Sequence, residues 1–271
     1  MLNARVMALG LLALVVSGSA EAGPLEDASA AYARGDYQSA MRFLTPLANQ
    51  GNPTAQYNLA VMFDRGEGVQ RNDTEAVRWY ALAAAKGDAN AENNLASKYA
   101  AGQGVKQDYA QAIDLFRRAA NQGHTEAQNN LGLLYAGGKG SMPDYAEAAR
   151  YFRLAAAKGH SGARGNLGTI YRNGNGVTKN PTEALRWFRL AADQGDAAAL
   201  QNLGDMYAAG EGVTLDRVQA HKWLSLAAAR YSPAESMQRD AAIKARDALL
   251  SKMTMSEVAE AEKQARAWRP R

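Results

Sequence analysis

The feature that most constrains the fold is a period of 36 residues. An Asn-Leu pair followed by a small residue recurs five times at this spacing, and an aromatic residue follows each Leu by four positions. Two glycines separated by one residue come next, and an Ala-Ala pair closes each unit. A fixed period of this length is typical of solenoid proteins, in which copies of one structural unit stack on each other. The copies are marked by Asn58, Asn94, Asn130, Asn166 and Asn202.

One unit reads as a pair of helices. Ala55, Leu59 and Phe63 are four apart and form one stripe of a short helix, which the loop glycines then end. A second helix follows a column of Asn or Asp, with Glu or Gln three residues later, which resembles a capping box. The column consists of Asn72, Asp108, Asp144, Asn180 and Asp216, and the later one of Glu75, Gln111, Glu147, Glu183 and Gln219.

The predicted fold class is therefore all-α, a right-handed alpha-alpha superhelix built as a solenoid of antiparallel helix hairpins. The hydrophobic fraction of 47% is ample for a core, and the absence of cysteine means that packing between repeats must hold the array.

These columns resemble the Sel-one-like repeat (SLR), a relative of the tetratricopeptide repeat with a longer, Gly-containing loop. The match is specific over about residues 53–230, although Leu115 and Tyr151 stand where the family has Trp and Ser141 replaces the loop Val. The resemblance implies a role in protein–protein interaction. We divide the chain into a signal peptide (1–22), an N-terminal tetratricopeptide-like hairpin (23–52), five repeats (53–88, 89–124, 125–160, 161–196 and 197–232) and a C-terminal helical cap (233–271).

The first 22 residues have the pattern of a Sec-type signal peptide. Arg5 precedes an uncharged apolar run, and Ala20-Glu21-Ala22 forms a cleavage site. We expect cleavage after Ala22, a periplasmic or secreted protein, and no stable membrane insertion afterwards. The alternative is an uncleaved anchor, which the short apolar run disfavours.

The sequence predicts no enzyme, cofactor or metal site. Motifs for metalloproteases, serine hydrolases and phosphate loops are absent. His124 and His160 share a column with Asp88 and Asp196, which indicates helix capping, and His221 is expected to pack or to lie at the surface. A net charge of +4 with dispersed basic residues does not indicate nucleic acid.

Two polar columns are candidate binding surfaces. Related helical repeats line a concave groove with first-helix side chains, and Asn can bond there to the peptide groups of a ligand. The alternative is that the Asn column forms hydrogen bonds between repeats. The candidate groove residues are Asn58, Asn94, Asn130, Asn166 and Asn202, with the variable positions Tyr57, Asp64, Asn93, Asn129, Arg172, Gln201 and Asp205.

The second column is basic, and its simplest interpretation is a solvated face, with a surface for an anionic partner as the alternative. It comprises Arg78, Arg150, Arg186 and Lys222, joined by Arg117, Arg153 and Arg189.

The sequence thus favours a non-catalytic scaffold or adaptor of the bacterial envelope that binds a protein or peptide in the groove. Two alternatives stay open: a protein that binds or hydrolyses cell-wall material (peptidoglycan or β-lactam-type compounds), and a secreted effector that interacts with a host.

Overall fold

A computed structural model describes residues 23–140 and 142–270, and these residues form helices joined by short loops, without a strand among them. The predicted signal peptide and Ser141 lie outside this range. The first five helices are α1 (Pro24–Ala33), α2 (Tyr37–Asn49), α3 (Pro53–Arg65), α4 (Asp73–Ala84) and α5 (Ala89–Ala101). The others are α6 (Tyr109–Asn121), α7 (Thr125–Ala136), α8 (Tyr145–Ala157), α9 (Ser161–Asn173), α10 (Pro181–Ala192), α11 (Ala197–Ala209), α12 (Arg217–Arg230), α13 (Ser236–Leu250) and α14 (Met255–Ala267).

The helices fall into two compact units, divided after Asp108. In the first unit, consecutive helices from α1 to α5 pack on each other; in the second, the same holds from α6 to α12, and α13 and α14 both pack against α12. The predicted all-α class of packed helix pairs is confirmed. None of the helices in the described range combines the length and the apolar character needed to cross a bilayer.

First and second helices of the repeats begin at side-chain caps, as α3, α4 and α5 show. Asn52 and Asp88 accept hydrogen bonds from the third helical N–H of α3 and α5, and Asn72 caps α4 in the same way. His124 and His160 use Nδ1 for this role, at 3.1 Å from the N–H groups of Ala127 and Ala163. The prediction that this histidine column caps helices is confirmed.

The capping-box interpretation was wrong for the glutamates. The N–H of Asn72 donates to the carbonyl of Phe63 at 2.9 Å, so it is already occupied, and Glu75 pairs with Arg78 instead. The cap residues Asp144, Asn180 and Asp216 bond in the same way to the carbonyls of Tyr135, Tyr171 and Tyr207. This bond joins the end of each first helix to the start of its second helix and so closes the hairpin.

The second glycine of each loop lies against the preceding repeat. Gly176 has φ +66°, and a Cβ there would come within 2.6 Å of the backbone of Tyr145 and Ala146 at the start of α8. No larger residue fits this contact without a backbone shift, and the positive φ adds strain for any L-residue. The loop glycines thus set how closely successive hairpins approach.

The core between helices is built from matched small and large residues. A Cβ on Gly132 or Gly168 would lie 2.6–2.7 Å from the rings of Phe152 and Phe188. The small column therefore makes room for an aromatic ring of the second helix. The C-terminal cap joins this core, since Leu249 is buried in it and Trp268 packs on it.

Candidate functional site

Two predicted groove residues of the first unit, Asn93 and Asn94, form a hydrogen-bonded group with Tyr80. Asn94 donates to the Tyr80 hydroxyl at 3.2 Å and accepts from Asn93, which is buried. Tyr57 is half-buried, and its ring lies 6.0 Å from that of Tyr80. Asn58, the first member of the Asn column, is also half-buried.

Next to this group lies a set of charged residues, which we call the Lys98 cluster (Lys98, Asp64 and Asp73). The sequence predicted Asp64 as a groove residue but did not indicate Lys98 or Asp73. The Lys98 side chain on α5 is only 6% exposed, and its ammonium donates to Asp64 at the end of α3 and to Asp73 at 2.8 Å. Asp73 also accepts from Arg71 at 3.1 Å. One ammonium therefore joins the second repeat to both helices of the first.

Electrostatics in the first unit follow from these contacts. The hydrogen bond from Lys98 lowers the pKa of Asp73 and so keeps it ionised. Burial raises the pKa of Tyr57, and both burial and the Asp64 charge raise that of Tyr80, so these phenols stay protonated donors. The equivalents of Lys98 are Met62, Leu134, Ile170 and Met206, and those of Tyr80 are Phe116, Phe152, Phe188 and Leu224.

In the second unit, hydrogen bonds connect polar groove candidates of successive repeats. Asn166 donates to the Asn129 side chain at 3.2 Å. Arg172 donates to Asn202 at 3.0 Å and pairs with Glu211 at 2.9 Å. Two members of the Asn column thus bond to a neighbouring repeat, which agrees with the structural interpretation of that column. Because Asn166 and Asn202 remain partly exposed, a ligand could still contact them.

Two more candidate residues lie on α11, the first helix of the fifth repeat. Gln201 accepts from the Tyr231 hydroxyl at 2.6 Å, and burial is the main cause that raises the pKa of Tyr231 to about 12. Asp205 is half-buried, and burial raises the pKa of its carboxyl although Arg172 opposes the shift. Asn130, the remaining member of the Asn column, is buried.

No group of three metal-ligating side chains exists within residues 23–140 and 142–270. His160 caps α9 through Nδ1, so its Nε2–H donates to Glu126 at 2.9 Å. His221 lies on α12 and is buried, with 4% of its surface exposed. Burial is the main cause that lowers its pKa, and its Nδ1 has no hydrogen-bond partner.

Comparison with known proteins identifies the repeat family of this architecture. The family model of the Sel1 repeat matches residues 53–88, 89–124, 125–160, 162–196 and 197–232. A crystal structure of a Sel1 repeat protein from Oxalobacter formigenes is 30% identical, with a TM-score of 0.74 over 88% of this chain and 97% of that one. The protective antigen c5321 of uropathogenic Escherichia coli, which displays an SLR fold, is 27% identical over 90% of this chain and 68% of that one, with a TM-score of 0.42. No curated protein matches the sequence significantly.

Proposed function

Because the chain belongs to the Sel1 repeat family, we propose that it is a non-catalytic scaffold that binds a protein or peptide along its first helices. Sel1 repeat proteins are generally protein-interaction scaffolds and typically non-catalytic. We assign the contact to the polar face of the second unit, defined by Asn166, Arg172, Gln201, Asn202 and Asp205, with the buried Asn129 beneath it.

One observation carries this assignment: the polar face is held in place while it stays accessible. Hydrogen bonds from Asn166 to Asn129 and from Arg172 to Asn202 fix these side chains across successive repeats. The side chain of Arg172 is nevertheless 25% exposed. Side chains that are ordered beforehand lose little conformational entropy on binding, which favours affinity. Amide groups can pair with both the N–H and the C=O of a peptide backbone.

We place this scaffold in the bacterial envelope, as a periplasmic or secreted protein. The basis is the order of Arg5, the apolar run and Ala20-Glu21-Ala22 in the sequence. N-terminal sequencing of the exported protein should begin at Gly23. A mature protein that still carried residues 1–22 would contradict the cleavage, and recovery in the cytoplasm would contradict the location.

The binding proposal is tested with the purified chain of residues 23–271 as bait in a periplasmic extract, with captured proteins identified by mass spectrometry. The double variant Asn166→Ala/Asn202→Ala should reduce capture of a specific partner about tenfold, because two preorganised amide contacts are lost. The matched control is Asn121→Ala/Asn173→Ala, which removes two exposed asparagines at the last positions of α6 and α9.

The control should leave capture unchanged, and circular dichroism should show that both variants are folded. If the Asn166 and Asn202 variant captured the partner as well as the original chain does, the polar face would not be the binding surface. Turnover of peptidoglycan or of a chromogenic β-lactam well above background would contradict the non-catalytic assignment.

A further inference from the structure

A second surface of the second unit is a row of ordered arginines. Arg117, Arg153 and Arg189 are 36 residues apart on α6, α8 and α10, and all three are exposed. Each donates to the phenol oxygen of a tyrosine on the next first helix: Tyr135 at 3.0 Å, Tyr171 at 3.2 Å and Tyr207 at 2.5 Å. The tyrosine fixes each guanidinium through one nitrogen. Because a guanidinium has five N–H donors, others remain for a ligand.

A parallel row of cations stacks on aromatic rings of the second helices. Arg150 lies 4.0 Å from the ring centre of Tyr151, and Arg186 lies 4.5 Å from that of Trp187. These two arginines are neutralised by Glu147 and Glu183, at 2.8 Å and 3.0 Å.

The last member of this parallel row, Lys222, differs from the other two. It stacks 4.1 Å from the Trp223 ring, but Gln219 stands in the glutamate column, so no carboxylate pairs with it from that position.

Arg150 and Arg186 are therefore neutralised, whereas Lys222 and the first row are not. Within the described residues, no carboxylate pairs with Arg153, Arg189 or Lys222. Burial lowers the pKa of Lys222, and the charge of Arg189 lowers it further. At the other end, Asp114 is exposed one helical turn before Arg117 and weakens the field there. Asp193 lies one helical turn after Arg189 and has the same effect there without forming an ion pair, so the positive charge is least compensated at Arg153 and Lys222.

We propose that Arg117, Arg153, Arg189 and Lys222, which we call the arginine row, form a docking surface for an extended acidic peptide segment. Charge complementarity selects the occupant. Arg117, Arg153 and Arg189 occupy equivalent positions of successive hairpins, so their guanidiniums are regularly spaced along the second unit. Lys222 lies at the position equivalent to Arg186, three residues before that of Arg189. A polyproline II segment advances about 9.3 Å per turn of three residues. A segment with a carboxylate at every third residue therefore presents a regular row of anions to this regular row of cations. This surface is separate from the polar face of the first helices and does not depend on it.

The probe is a fluorescent dodecapeptide, acetyl-(Glu-Pro-Ala)₄-amide, titrated with the chain of residues 23–271 in an anisotropy assay at low salt. Two peptides accompany it: one with Gln at every Glu position, and one with the four Glu residues in a single block. We expect the spaced Glu peptide to bind most tightly. Its affinity should fall as salt increases, since exposed charges are screened.

Matched protein variants separate the row from bulk charge. Arg153→Gln/Arg189→Gln should weaken binding about tenfold, because two unpaired cations are lost. Arg150→Gln/Arg186→Gln removes the same total charge from arginines already neutralised by glutamate, and should change the affinity less than threefold. Circular dichroism should confirm that both double variants are folded.

Three results would each overturn the proposal. The first is no measurable binding of the spaced Glu peptide. The second is an equal loss of affinity in both double variants, which would indicate a bulk charge effect. The third is tighter binding of a polyphosphate chain with the same dependence on Arg153 and Arg189, which would assign the surface to phosphate polymers instead of an acidic peptide.

Discussion

Replacing Lys98 by Met should destabilise the first unit, although Met is the residue at the equivalent position of two other repeats. The substitution removes the ammonium that joins α5 to both Asp64 and Asp73. Two carboxylates would then face each other without their shared partner. Breaking a buried ion pair by removing one member costs about 3–5 kcal/mol.

The expected loss in Lys98→Met is smaller, about 2–3 kcal/mol, for two reasons. The Asp64 and Asp73 side chains are 27% and 30% exposed, so water partly solvates them once they are unpaired. Asp73 also retains Arg71. The triple variant Lys98→Met/Asp64→Ala/Asp73→Tyr copies residue types found in these columns of other repeats. It leaves no unpaired carboxylate, and Arg71, which loses Asp73, is solvated because its side chain is 57% exposed. We expect the triple variant to lie within about 1 kcal/mol of the original chain.

Hydrogen exchange with mass spectrometry measures this locally, because repeat arrays need not unfold as one unit. Amides of α3 to α5 should exchange roughly 30- to 160-fold faster in Lys98→Met, whereas amides of α10 to α12 should not change. Because the hydrogen bond from Lys98 lowers the pKa of Asp73, the stabilisation is present above the unfolded pKa of about 3.9 and is lost as the pH falls through the lower folded value. The exchange difference should therefore shrink below about pH 4. If Lys98→Met were as protected as the original chain at pH 7 while the triple variant was less protected, the reasoning would be refuted.

Other substitutions test single contacts. Gly176→Ala should lower the free energy of unfolding by about 2 kcal/mol or more, because of the positive φ and the backbone contact. Gly165→Ala is the control and should be neutral or stabilising, because its Cβ meets nothing within 4 Å. Similar thermal midpoints for the two variants would contradict the role of the loop. His221→Leu should gain stability relative to the original chain as the pH falls below about 6.5, by at most about 1.4 kcal/mol per pH unit. The reason is that the folded original chain keeps the buried imidazole neutral, whereas its unfolded state takes up a proton. If the difference in unfolding free energy between the two chains, measured by urea titration, did not vary from pH 7.5 to 5.5, this explanation would be wrong. Tyr231→Phe should cost about 1 kcal/mol by loss of the hydrogen bond to Gln201, and an unchanged urea midpoint would show that this bond contributes nothing.

The parts of the structure that depend on local sequence could be predicted. The caps at Asn72 and His124 act on N–H groups within three residues, so their role follows from their position before a helix. The capping box at Glu75 failed because the N–H it needed bonds to the Phe63 carbonyl, across the loop of the hairpin. That competition depends on hairpin geometry, which the spacing of Asn and Glu does not reveal.

The candidate site shows the same limit more strongly. Lys98 bonds to residues 34 and 25 positions away, on two different helices, so no local pattern indicates its partners. A signal was nevertheless present, because Lys98 and Tyr80 interrupt columns that are otherwise apolar. Comparing each column for its exception, as well as for its consensus, would have identified both. Which of Asn166 and Asn202 contacts a ligand depends on the structure of the partner, and the sequence of this chain carries no information about that partner.

Three hydrogen bonds tie a side chain to the hairpin synthesised just before it, and they bear on how the chain folds during synthesis. Lys158 donates to the carbonyl of Gly123 at 2.5 Å, Gln194 to that of Gly159 at 3.0 Å, and Lys86 to that of Gly51. In each case the later residue binds a carbonyl of the repeat made before it. A hairpin that leaves the ribosome or a translocation pore therefore finds its docking partner already formed. Such a chain can fold from its N-terminus one repeat at a time, without waiting for distant segments.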